Sequence, residues 1–256
     1  MNWEIKNKIW KRKDCNKLIS LVICQIAHEF TKMIPAGPPL ECSNIIVIND
    51  LFWDHRIYWP LNPEFYKIGL NTGEKSFGKA AYQFSHELTH IYCDPRVINW
   101  FIETIAHVAS FYTLDLFTEK WESEPPENIP KGTYKIFRDH KFEIVREAYK
   151  KIDLVQQQVS GEWIKKEVKK MHKKRRFGNR LIYNLIALEI LPIFKENPDV
   201  WSILPYLGKS SVPPPPENPK VLRTNKRTIP DFIHLKEILP EKLVPLWDKI
   251  IFKIWE

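Results

Sequence analysis

Residues His86-Glu87-Leu88-Thr89-His90 spell H-E-x-x-H. On a helix, positions i and i+4 share a face, so both imidazoles can reach one divalent ion. Glu87 is rotated by about 100° from His86, which suits a carboxylate that works on water beside a metal rather than ligating it. The neighbours Phe84, Leu88, Thr89, Ile91 and Tyr92 are uncharged, as a helix buried behind a metal requires. Catalytic zinc takes three protein ligands and keeps a position open for water. Glu103 is the preferred third ligand. It lies in "VINWFIETIAHVASFYTLDLF", apolar nearly all round, where a carboxylate must be paired, metal-bound or neutralised. His107 lies on the same face. It either hydrogen-bonds a ligand or takes the place of Glu103, but as a ligand it would leave Glu103 buried without a partner. Asp94 ends the H-E-x-x-H helix and converges poorly with the histidines. Cys93 is offset from their face and reads as a small buried hydrophobe.

The elements that must position these groups follow from periodicity. Ala80, Phe84, Leu88 and Ile91 put one helix over 79–93, and Asp94-Pro95 ends it, because a residue before proline avoids the α region. The turn at 94–96 folds a second helix, about 97–116, back beside the first and so aims Glu103 at the histidines. "NIIVIND" and "FYKIGLNTG" read as strands, the second closed by a turn at 71–73. Residues 14–31 read as an amphipathic helix packed on the core rather than a secretion signal, since "HEF" follows where small residues would be needed. Helical patterning returns over 134–176 and 181–194. The expected fold is α+β and mainly helical, with a small sheet, an H-E-x-x-H helix and C-terminal helices. Residues 1–208 form the main domain, and 209–256 a proline-rich spacer whose apolar tail docks on it.

The composition bounds the partners. The chain has 256 residues, 44% hydrophobic and 13% aromatic, enough for a folded core. Its net charge of +8 favours acidic partners without naming one. Four scattered cysteines without C-x-x-C spacing suit reduced thiols in a cytoplasmic protein. No stretch reaches the length of a membrane span. The run "WIKKEVKKMHKKRRFGNR", 163–180, reads as a solvated helix face, with a nucleic-acid patch as the sharper alternative.

H-E-x-x-H with a glutamate on the next helix resembles the gluzincin group of zinc metallopeptidases. The "WFIE…AS" surroundings are similar to small bacterial proteins with that active-site plan, over about 66–116. Cys93 and Arg96 stand where the metzincin continuation needs glycine and histidine, which excludes that group. The resemblance implies a zincin-like core and Zn2+ on His86, His90 and Glu103. It also implies Glu87 as general base and a peptide or protein substrate lying along a sheet edge at Tyr66, Ile68 and Leu70. His107 stands where many gluzincins carry an aspartate. Tyr134, His140 and Tyr149 are the candidates to donate a hydrogen bond to the developing oxyanion. The alternatives are an inactive zincin-fold binding or regulatory protein, and a nucleic-acid-associated protein using the basic run.

Overall fold

A computed structural model describes residues 4–8, 13–40, 42, 44–50, 54–58, 64–73, 76–127, 129–153, 160–174, 180–218 and 228–256. The chain is mainly helical, with a small mixed sheet. The strands are β1 (Glu4–Lys8), β2 (Asn44–Asn49), β3 (Arg56–Ile57) and β4 (Phe65–Leu70), in the spatial order β1-β2-β4-β3. β1, β2 and β4 run parallel, and β3 is antiparallel to β4. The β-branched run of β2 buries Ile45 and Val47, while β4 buries Tyr66, Ile68 and Leu70. That corrects one expectation. β4 lies between β2 and β3, and its Tyr66, Ile68 and Leu70 are core residues, so it offers no edge to a peptide. The strand beside the site is β3.

Helix α1 (Lys13–Met33) buries Ile19, Val22, Ile23, Ile26, Ala27 and Phe30, the three-and-four spacing of an amphipathic helix. At the centre stands α2 (Phe77–Cys93), packed against α1, β4 and α3 (Trp100–Ser123). Every residue of α2 except Lys79 is buried. An almost wholly enclosed helix cannot spend polar side chains idly, because each buried polar group needs a partner.

The connection from α2 to α3 sets the relation between the two histidines and Glu103. Asp94 takes a left-handed φ of 85°, so the chain turns sharply at the end of α2. Its buried carboxylate accepts from Arg96 Nη2 at 2.6 Å, Arg96 Nε at 2.9 Å and the Arg96 backbone N–H at 3.0 Å. Arg96 also donates to the Pro216 carbonyl at 2.7 Å, tying the proline-rich stretch to the turn. Gly208 packs so close that a Cβ there would sit 2.1 Å from the Cys93 carbonyl oxygen. Asn99 then caps α3, its Oδ1 accepting from the Phe101 and Ile102 N–H groups. The sequence placed the start of α3 about three residues early and its end at 116. Phe117 and Trp121 are buried, and the helix runs on to Ser123.

Helices α4 (Lys135–Asp153), α5 (Gly161–Lys174) and α6 (Arg180–Glu196) follow. The helical patterning expected at 154–159 and 175–176 lies outside the described residues. α5 turns Ile164, Val168 and Met171 inward and leaves Lys166, Lys169, Lys170, Lys173 and Lys174 in solvent. After α7 (Leu204–Leu207), β5 (Ser211–Val212) pairs with β6 (Ile229–Pro230). Helices α8 (Phe232–Ile238) and α9 (Val244–Ile254) then join the same hydrophobic core as α2 and α3. Phe101 meets Phe232 and Trp247 with ring centroids 5.4 and 5.6 Å apart. No helix among the described residues is long and apolar enough to cross a membrane.

Candidate metal centre

His86 and His90 project from one face of α2, one turn apart, with their Nε2 atoms 3.2 Å from each other. Glu103, in the first turn of α3, faces both. Its Oε2 is 3.5 Å from His86 Nε2 and its Oε1 is 3.7 Å from His90 Nε2. The last two distances are too long for effective hydrogen bonds, which fall near 2.7–3.2 Å. They match another figure better. Ligand atoms about 2.0–2.1 Å from a tetrahedral zinc lie roughly 3.3–3.4 Å from one another. The donor set, two imidazoles and one carboxylate, is of the kind zinc takes at catalytic sites. The residues present therefore fit the ion.

Electrostatics favours the ligating forms. Burial, then the neighbouring His55 and His90, hold the His86 pKa well below the ordinary histidine value, so the ring is neutral with a lone pair to offer. Nδ1 of His86 and of His90 are buried without a hydrogen-bond partner among the described residues. Among the described residues, packing rather than an outer carboxylate holds these two rings.

Glu87 is buried on the same helix, turned from the His86–His90 pair towards β3. Burial by itself raises its pKa. The hydrogen bond from His55, followed by the electrostatic influence of the His55, His90 and His86 rings, outweighs that and leaves it below the usual carboxylate value. The His55 contact is short, Nδ1 to Glu87 Oε1 at 2.6 Å. On the far side of the ring, Arg180 Nη2 lies 3.1 Å from His55 Nε2. A guanidinium can only donate, so Nε2 must carry the lone pair and Nδ1 the proton given to Glu87. Arg180, His55 and Glu87 therefore form one directed chain. His55, His86 and Glu87 also lie close enough together to form a second potential metal-ligand group.

His107 is near but separately engaged. Its ring meets His86 edge-on at 4.9 Å, and its Nδ1 is 2.5 Å from the Tyr82 hydroxyl. The hydroxyl donates to Asn184 Oδ1 at 3.2 Å, so its oxygen accepts from His107 Nδ1–H. Burial, then the neighbouring His86, holds the His107 pKa well below the ordinary value. His107 joins neither ligand group. Cys93 is also buried, and burial, then Asp94, pushes its thiol well above the ordinary value, so it offers no thiolate.

His55, His86, Glu87, His90, Glu103 and His107 line a cavity of about 270 Å3. Its wall includes His55, Arg56, Ile57, Arg180 and Tyr183 beside the potential ligands. The expected oxyanion donors do not reach it. Tyr134 bonds Glu122, and Tyr149 is exposed on α4. His140 packs edge-on against Tyr82 at 5.9 Å and lines a neighbouring cavity. Helix α4 packs on α2 and α3, and these positions fall behind or outside the cavity wall. The groups that sequence reasoning missed are His55, just before β3 and with no spacing signal, and Tyr183. Arg180 was visible only as the end of the basic run.

Comparison with known protein families, with curated proteins and with solved structures finds no match for this chain.

Proposed function

We propose that this protein is a zincin-type zinc metallopeptidase in which His86, His90 and Glu103 hold the metal and Glu87 is the general base. One observation carries the reading: two imidazole Nε2 atoms and a carboxylate from two helices converge at 3.2, 3.5 and 3.7 Å, with a second carboxylate, Glu87, buried next to them. Zinc bound there supplies a Lewis acid that polarises a carbonyl and makes water acidic near neutral pH. The chain's own groups do the rest. Glu87, held below the usual carboxylate value, accepts the proton of the attacking water and returns it to the leaving amine. His55 fixes one oxygen of Glu87, so the other is left for water. Tyr183 stands in the cavity wall, its ring stacked on that of His107. β3 offers the backbone edge that an extended substrate would follow, in place of β4.

The test compares wild type with Glu87→Gln. The variant keeps its zinc and loses peptide hydrolysis by at least about a hundredfold, the usual range for a general base. Equal, zinc-independent cleavage by both proteins would refute the peptidase reading. Bound zinc with no cleavage by either would favour a binding module.

A further inference from the structure

Two guanidinium groups line the metal cavity, and they differ in what already holds them. Arg56 donates to the buried Asp50 at 3.0 Å and lies over the Tyr58 ring at 4.8 Å. Its charge is matched within the fold. Arg180 donates to a neutral imidazole, His55, and its ion-pair carboxylate, Asp54, is 3.8 Å away and 78% exposed. An exposed pair at that distance contributes little. With a divalent ion on His86, His90 and Glu103, and with Glu87 ionised, this wall carries an unmatched positive charge beside the reacting position. A guanidinium fork matches a carboxylate better than any other common peptide group, through two parallel charge-assisted hydrogen bonds. The cavity volume, about 270 Å3, is below the roughly 300–1,000 Å3 of sites that enclose drug-sized ligands. It has room for the end of a peptide beside the residues that would hold the metal.

We propose that Arg180 binds the free α-carboxylate of a peptide substrate, so that the site removes C-terminal residues. The proposal rests on the metallopeptidase reading and adds the substrate class. In the reaction, water's oxygen and one hydrogen join the acyl carbon of the last peptide bond, and the C–N bond breaks. The other hydrogen goes to the amine of the released amino acid, and no further reactant is needed. Arg180 also keeps its hydrogen bond to His55, so an occupied carboxylate site is linked through one ring to the base at Glu87.

The experiment measures binding, so that it does not depend on turnover. Zinc-loaded Glu87→Gln is titrated with a fluorescein-labelled tetra-alanine peptide carrying either a C-terminal carboxylate or a C-terminal amide. The carboxylate form binds about tenfold or more tightly, the range for hydrogen bonds to a charged group. Adding Arg180→Met removes the preference, and adding Arg180→Lys restores part of it, with zinc content unchanged in both. Equal binding of the two peptides, no binding of either, or a preference that survives Arg180→Met overturns the proposal. The last result would place the carboxylate on the metal. Turnover is scored separately: internal cleavage of an amidated peptide by wild type keeps the peptidase reading while sinking this one. Release of free alanine from the carboxylate peptide supports both.

Discussion

Replacing Arg96 with methionine tests how the fold holds α2 and α3 together. In the native protein the Asp94 carboxylate is 3% exposed and accepts both side-chain and backbone hydrogen bonds from Arg96. Arg96→Met leaves that carboxylate buried with only the backbone N–H. Removing one partner of a buried pair costs about 3–5 kcal/mol. At roughly 2–4 °C per kcal/mol for a chain of this size, the melting temperature of the metal-free protein falls by about 6–20 °C. The Pro216 tether is lost at the same time. The turn carries Glu103 into the site, so zinc affinity falls as well. The assay is chemical and thermal denaturation with chelator present, followed by zinc titration. The double variant Asp94→Asn/Arg96→Met is less destabilised than Arg96→Met alone, because no buried charge remains. A loss under about 0.5 kcal/mol, the ordinary range of surface substitutions, would refute this account of the turn. So would a double variant less stable than the single one.

Other expectations follow from the same geometry. His86 and His107 have folded pKa values below those of unfolded histidine, so the unfolded chain binds more protons once the pH drops below about 6.5. Their contribution to stability is complete above that pH and is lost as pH falls. The slope is at most about 1.4 kcal/mol per pH unit for each ring. Denaturation midpoints of the metal-free protein between pH 7 and 5 measure it, and a flat profile would contradict the burial of neutral rings. His55→Phe removes the hydrogen bond to Glu87 and costs about 1.5–3 kcal/mol, the range for bonds to charged groups. The same change slows hydrolysis by about 10- to 100-fold while zinc stays bound. An unaltered rate would show that His55 does not position the base.

The parts of the fold legible in the sequence were those with regular spacing. The apolar periods of α1, α2 and α6 and the β-branched run of β2 locate those elements to within a few residues. β1 reads "EIKNK" and β3 has two residues, so neither carries an alternation long enough to recognise. The family resemblance implied that β4 is an edge, but in the sheet it lies between β2 and β3. The approach of His86, His90 and Glu103 to one another was legible because His86 and His90 share a helix face, and because a carboxylate in an apolar stretch demands a partner. His55 and Arg180 were not. They meet Glu87 only through tertiary folding, 32 residues separating His55 from Glu87 and 125 separating Arg180 from His55. A lone histidine in "LFWDHRIYWP" and an arginine ending a basic run look like many others until the fold joins them.

The central claim is that His86, His90 and Glu103 hold one ion. Zinc content per chain, measured by elemental analysis of protein purified without added metal, tests it most directly. The geometry predicts about one zinc in wild type and in His107→Ala, and its loss in Glu103→Ala, for a three-ligand site. Zinc retained by Glu103→Ala and lost from His107→Ala would contradict it.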